Sequence, residues 1–241
     1  MTDAALVTGA ASGIGRATVD LFRERYDLVV GIDVDPAIEK ITVDIDGVRG
    51  YVADVRDYDH IHEIIDEIED HADIVAVVNN AAVSRYYWIG DLDPDEWQAV
   101  LDVNLTGQYN IVRAVGPCMY ERREGAIVNV SSGAGKQGSA SAGVHYSASK
   151  AGIFGLTKGL AKQLAPHVRV NCVVPGLMDT PLTTDSGLWD EEGIEAFIDR
   201  VPLKRLGQPK EAADLIDFLC SHRASYITGA VIDVDGGAAL I

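Results

Sequence analysis

Lysine and cysteine are scarce in this chain and long apolar runs are missing, and each shortage closes off a class of function. Seven lysines and 13 arginines stand against 25 aspartates and 12 glutamates in 241 residues, a formal charge of −17. Neutralising a phosphate backbone requires a basic footprint, so nucleic-acid binding is not expected. The three cysteines, Cys118, Cys172 and Cys220, lie far apart and form no CxxC pair, which argues against a zinc site or a disulfide framework and predicts inert thiols. No apolar run approaches the roughly 18 residues of a membrane-spanning helix. The opening MTDAALVTGAASG has neither a basic n-region nor a long apolar stretch, so the reading is of a protein without a secretory signal, resident in the cytoplasm.

The acid is spread along the chain, in DVDPAIEKITVDIDG, DYDHIHEIIDEIEDHAD and DLDPDEW. Such an Asp-rich, Lys-poor surface resembles those of halophilic proteins, because molar salt shortens the Debye length to about 3 Å and makes self-repulsion tolerable. The alternative is an ordinary acidic enzyme.

Seven apolar, β-rich runs alternate with amphipathic stretches: AALVTG, LVVGID, GYVAD, IVAVVNN, AIVNVSS, VRVNCVVPG and AVIDVDGG. Helices are predicted over 13–25, 58–71, 94–119, 146–164 and 209–222. Strands that read as continuous apolar runs, separated by helices, imply a parallel sheet covered on both faces. The expected fold is α/β: one Rossmann-type doubly wound domain over residues 1–241, with a seven-stranded parallel sheet. Residues 180–208 break the rhythm with one short helix between turn-rich ends, which predicts a substrate lid or a plain surface excursion.

VTGAASGIG follows the first strand and opens the first helix. Gly9, Gly13 and Gly15 there would let the backbone turn tightly and approach a pyrophosphate seated on the helix N-terminus. Asp33 ends the second strand, 18 residues beyond Gly15. A carboxylate there accepts from both ribose hydroxyls and repels a 2′-phosphate, so NAD is the expected cofactor; a simple helix cap is the other reading of Asp33. Arg16 is the nearest cation.

Tyr146 and Lys150 share a helix face at i and i+4, and a neighbouring ammonium is expected to lower the phenol's pKa toward the working pH. By itself YxxxK occurs often by chance. Here it follows AIVNVSSGAGKQG in a chain that began with a dinucleotide loop. HIHEII at 60–65 suggests metal ligands only superficially, since adjacent acids in an amphipathic helix predict a solvated face, and no metal site is expected.

TGAASGIG, the Asp54-Val55 pair, NNAA at 79–82, VNLTG with Asn104, VNVSS with Ser132, YSASK, PGLMDT at 175–180 and SYITGAVIDVDGG together resemble the short-chain dehydrogenase/reductase family over the whole chain. The resemblance implies that Tyr146 is the acid/base, that Lys150 tunes it and holds the nicotinamide ribose, that Ser132 bonds the substrate oxygen, and that Asn104 holds a water in a proton relay. It places Ser12 and Ile14 with the three glycines at the pyrophosphate, Asp54 and Val55 at the adenine, and Asn80 in the cleft. Pro175, Gly176, Met178 and Thr180 fall at the nicotinamide carboxamide. A homotetramer, paired through the YxxxK helix and the last strand with its apolar end GGAALI, is also implied.

Two departures stand out. Ala82 replaces a usual glycine, which is tolerable unless that residue needs positive φ. Ser132 and Tyr146 are 14 residues apart where one fewer is usual, which opens part of the role of Ser132 to Ser131 or Ser139. Candidate pocket residues are Ser84–Trp88, Ser139–His145, Leu177, Leu182, Leu188 and Trp189. The RYYW aromatics read as ring-stacking groups or as packing, and His145 as a polar substrate contact or a partly exposed helix-start residue.

The expected activity is NAD-dependent hydride transfer on a secondary alcohol such as a sugar or polyol. The alternative is a 3-oxoacyl thioester reductase, for which only Arg122-Arg123 and Lys204-Arg205 offer paired positive charge to an acidic carrier. A catalytically silent dinucleotide sensor is a third reading, disfavoured by the complete Asn, Ser, Tyr and Lys set.

Overall fold

The computed structural model describes residues 2–43, 45–185 and 187–240, without the side chain of Ile41. Ser186 of the expected lid, Ile241 of the expected apolar end, Asp44 of the acidic stretch and Met1 lie outside the described residues. Seven parallel strands form one sheet in the order β3-β2-β1-β4-β5-β6-β7. They are β1 (Thr2–Thr8), β2 (Leu28–Asp33), β3 (Val48–Val52), β4 (Ala72–Asn79), β5 (Gly125–Val130), β6 (Val168–Pro175) and β7 (Val231–Val234). The helices are α1 (Gly13–Phe22), α2 (Ala37–Thr42), α3 (Tyr58–Glu69), α4 (Pro94–Leu101), α5 (Gly107–Arg122), α6 (Ala134–Gln137), α7 (Gly143–Gln163), α8 (Pro181–Thr184), α9 (Glu191–Arg200) and α10 (Pro209–Cys220).

The apolar strands form because both faces are covered. Leu6, Ile32, Val77 and Ile127 pack with Ile61, Ile65 and Ile68 of α3 and Ile111, Val115 and Met119 of α5. On the other face Val7, Val29, Val78 and Val128 meet Val19 and Phe22 of α1, Ile38 of α2, and Ile216 and Leu219 of α10. Each buried side chain of this size contributes roughly 1.5–3 kcal/mol. Strand order reverses between β1 and β4, and in open α/β sheets a crevice forms at the carboxyl ends beside that switch point.

Several local features differ from the sequence reading: α2 was not expected, and residues 180–208 hold two helices, α8 and α9, rather than one. The helix expected over 94–119 is interrupted by a π-helical turn at Asp102–Thr106, and the fourth residue of the following segment, Asn110, is buried and donates to Val55 O at 2.9 Å. A short helix, α6, also occupies the loop after β5. Among the described residues no helix is long and apolar enough to cross a membrane.

Candidate active site

The loop between β1 and α1 turns on Gly9 and Gly13, whose φ angles are +65° and +55°. A Cβ on Gly15 would run into the Gly9 carbonyl, and one on Gly9 would lie 2.8 Å from Asn80 Nδ2. Backbone therefore packs on backbone here, as a phosphate-binding turn requires. Ser12 stands at the N-cap of α1 without capping it through its side chain, and the first intrahelical bond runs from Arg16 N to Ser12 O at 3.1 Å. The N–H groups of Gly13, Ile14 and Gly15 are thus first-turn donors pointing out of the helix, at its positive end.

Asn80 locks the loop from the neighbouring strand. Its Nδ2 donates to Thr8 O and Gly9 O, both at 3.1 Å. The Thr8 hydroxyl accepts from the N–H groups of Asn80 and Ala81 at 3.0 and 3.1 Å. Asp33 closes the other side, accepting from Ala11 N at 2.9 Å and Asp35 N at 3.0 Å. Pro36, not Asp33, is the N-cap of α2, so the helix-cap reading of Asp33 is set aside. Asp54 forms an ion pair with Arg56 at 2.6 Å, whose guanidinium holds the carboxyl below its usual range. Val55 is buried against Gly107. Ala82 needs no positive φ, since Arg123 and Lys204 are the non-glycine residues in that region among the described residues.

At the ends of β5 and β6 the polar residues converge. The Ser132 side chain faces the Tyr146 phenol and favours its ionised form, and the Ser132 hydroxyl accepts from Ala134 N at 3.2 Å, which leaves its proton free to point at the phenol oxygen. Lys150 Nζ lies 5.6 Å from the Tyr146 ring centroid and donates to Val130 O at 3.2 Å. Both side chains are buried. The expected lowering of the phenol by the ammonium is not the balance found. Burial pushes Tyr146 up, opposed by the Ser132 side chain, while burial pulls Lys150 down to about 8. Desolvation outweighs the pairing because the charged form of either group loses its water.

Asn104 sits in the π turn, fully buried, and is held at three points. Its Oδ1 accepts from Val83 N at 2.8 Å, and its Nδ2 donates to Val83 O at 2.9 Å and to Ser149 Oγ at 3.1 Å. Ser149 in turn donates to Tyr146 O at 2.7 Å. A single π turn inside a helix is often found at functional sites. Ser131 and Ser139 do not share the place of Ser132. The Ser131 hydroxyl donates to Lys150 O at 2.7 Å, and that of Ser139 accepts from Ser141 N and Ala142 N.

The segment after β6 is fastened at its base. Gly176 N donates to Val234 O at 2.9 Å, Asp179 N to Gly207 O at 2.8 Å, and Gly207 N to Leu177 O at 3.0 Å. Thr180 reaches the glycine loop, where a Cβ on Gly13 would lie 3.2 Å from its Cγ2. Beyond it α9 covers a cavity of about 240 Å³ lined by Leu177, Met178, Phe197 and Leu203. Trp189 meets Phe197 edge-on at 6.0 Å, and Leu182 is exposed.

Tyr86, Tyr87, Trp88 and Ile89 are exposed beside the cleft. His145 corrects the expectation of a partly exposed residue: it is fully buried, both ring nitrogens are without hydrogen-bond partners, and its ring meets that of Tyr87 edge-on at 6.2 Å. Burial lowers its pKa. Cys172 and Cys220 are buried with thiols pushed up to about 12. His62 pairs with Asp66 at 3.0 Å on the solvated face of α3, and no cluster able to hold a metal ion exists among the described residues. Thr8, Gln108, Asn110 and Ser149 were not singled out from sequence. For Gln108, a polar residue at a helix position facing the sheet was the available signal.

The backbone cradle, the first-turn donors and the Asp33 carboxylate fit a dinucleotide. Residues 9–239 match the family described as Enoyl-(Acyl carrier protein) reductase. The chain is 40% identical to a 3-oxoacyl-[acyl-carrier-protein] reductase of Thermotoga maritima, over 96% of each chain. The crystal structure of a 3-oxoacyl-[acyl-carrier protein] reductase from Brucella melitensis with bound NAD superposes with a TM-score of 0.88 at 37% identity, over 99% of this chain and 92% of that one. Thermoplasma acidophilum aldohexose dehydrogenase superposes with a TM-score of 0.89 at 31% identity, over 100% of this chain and 95% of that one. With its loop, its Ser-Tyr-Lys cluster and these relatives, the chain belongs to the short-chain dehydrogenase/reductase family of oxidoreductases.

Proposed function

We propose that the chain interconverts 3-oxoacyl and 3-hydroxyacyl thioesters with NAD(H), using Tyr146 as the acid/base. The convergence of Ser132 on the Tyr146 phenol, with Lys150 Nζ 5.6 Å from the ring centroid, carries this reading. Whole-length relatives named as 3-oxoacyl reductases support the thioester over the sugar or polyol expected first. Resemblance to an aldohexose dehydrogenase keeps the sugar as the second reading.

In reduction, the Ser132 hydroxyl and the Tyr146 hydroxyl hold the ketone oxygen, and Tyr146 gives it a proton. When bound, the nicotinamide supplies the hydride. The N–H groups after Gly9 take the pyrophosphate, with Gly13, Ile14 and Gly15 at the helix end. Asp33 faces the adenosine ribose and disfavours a 2′-phosphate, while Asp54 and Val55 border the adenine. Asn80 keeps the loop in shape, and the backbone from Pro175 to Met178, with Thr180, borders the nicotinamide. Asn104 fixes the turn before α5. Residues 180–208 act as the lid of a single dinucleotide-binding domain, which assembles as a tetramer and works in high salt. Of the cations expected to meet an acidic carrier, Arg122 is ion-paired to Glu69 and Asp73, and Arg205 to Glu211. Coenzyme A thioesters are therefore the first substrates to try. Absorbance at 340 nm with acetoacetyl-coenzyme A and an aldose panel tests the reading: higher kcat/KM on the thioester supports it, and turnover confined to aldoses overturns it.

A further inference from the structure

Gln108 lies on α5 four residues after Asn104 and is buried at 3% exposure. Its Nε2 donates to Val130 O at 3.2 Å, the same carbonyl that accepts from Lys150 Nζ at 3.2 Å. Donors from two helices thus converge on one oxygen at the end of β5, which brings the amide and the ammonium to neighbouring positions. The Oε1 of that amide is buried with no hydrogen-bond partner. A buried acceptor in this position calls for a donor, and an ammonium has three N–H groups to place.

The groups around Lys150 leave its charge to dipoles. Tyr146, from its own helix, is a phenol raised by burial, and Cys172, on β6, is a thiol pushed up to about 12. Both are neutral at pH 7. The Ser131 hydroxyl donates to the Lys150 carbonyl, and Lys136, on the packed α6, is ion-paired to Asp233 at 2.7 Å. The Val130 carbonyl accepts from the ammonium, and the Gln108 carboxamide beside it has an open acceptor.

We propose that Gln108 is a positioning residue: its carboxamide, anchored on the carbonyl that Lys150 also uses, accepts a second N–H of the Lys150 ammonium through one bridging water and holds it charged beneath the Tyr146 ring. Its consequence for turnover rests on the reading of Tyr146 and Lys150 as the acid/base pair; its effect on the charge of Lys150 does not.

The test follows the Cε signals of ¹³C-lysine protein by NMR against pH, with Lys150 assigned through Lys150→Met. In the wild type the midpoint is expected at about 8. Gln108→Leu lowers it by about one unit, and Gln108→Glu, which keeps an acceptor and adds charge, raises it. An unchanged midpoint in either folded variant overturns the proposal; should the Leu variant fail to fold, the Glu variant alone decides. The pH profile of turnover moves with the midpoint in Gln108→Leu. Turnover that survives in Tyr146→Phe removes the acid/base reading and leaves the lysine titration standing.

Discussion

Ser132 and Tyr146 are 14 residues apart in sequence, yet their side chains face each other in the fold, where Ser132 favours the ionised phenol. The two meet because β5 ends at Val130 and delivers Ser132 to the rim of the sheet, while α7 begins at Gly143 and turns Tyr146 toward the same rim. Replacing Ser132 with Ala removes the donor that opposes the upward push of burial on the phenol. Turnover is expected to fall about 10²-fold with the dinucleotide Kd unchanged, as read by steady-state kinetics and fluorescence titration.

Lys150 gives a pH-dependent stability. Its folded-state pKa, about 8 against the ordinary lysine value of 10.5, is depressed, so between those values the unfolded chain binds more protons than the folded one. Stability from this group therefore rises with pH across that window and is lowest below it. Lys150→Met removes the burden of a buried charge. It is expected to stabilise the fold by up to about 3 kcal/mol near pH 7, at 1.36 kcal/mol per unit, with the gain vanishing above about pH 10.5. Urea unfolding at several pH values checks this; a gain that does not shrink with rising pH contradicts it.

Asn104→Ala deletes the partner of both Val83 backbone groups and of Ser149. Leaving such buried groups unsatisfied costs about 1–3 kcal/mol. A lower midpoint of thermal unfolding, with turnover lost even at temperatures where the fold is intact, is the expected result.

Asp33→Ala frees Ala11 N–H and removes the charge that faces a 2′-phosphate. The preference for NADH over NADPH should fall by about tenfold or more, measured as the ratio of kcat/KM values. An unchanged ratio assigns cofactor choice to another residue.

The sheet was readable from sequence because strands buried on both faces must be apolar throughout, and all seven runs appear in the fold. The glycine loop and the Tyr-Lys pair were readable because their spacing is set by local geometry. What escaped depends on distant packing. A π turn needs one inserted residue whose cost is met by contacts from Val83 and Ser149. The burial of His145 follows from the positive φ of Gly143 and the loop carrying Arg85 and Tyr87. The balance of pKa values at Tyr146 and Lys150 likewise depends on how much water the fold removes, which i, i+4 spacing does not report.

The net charge of −17 predicts that salt matters. With cations such as Arg25, Arg56 and Arg122 already in ion pairs, the excess acid repels itself at low ionic strength. Activity and assembly should drop as KCl is lowered from about 2 M, where screening is nearly complete. Full activity in dilute buffer contradicts the halophilic reading.

The most direct test of the central claim is oxidation of NADH at 340 nm with acetoacetyl-coenzyme A in about 2 M KCl, run on the wild type and Tyr146→Phe with dinucleotide binding titrated in both. The account predicts turnover in the wild type, loss of about 10²- to 10⁴-fold in the variant, and equal NADH affinity. Comparable turnover in Tyr146→Phe would contradict it.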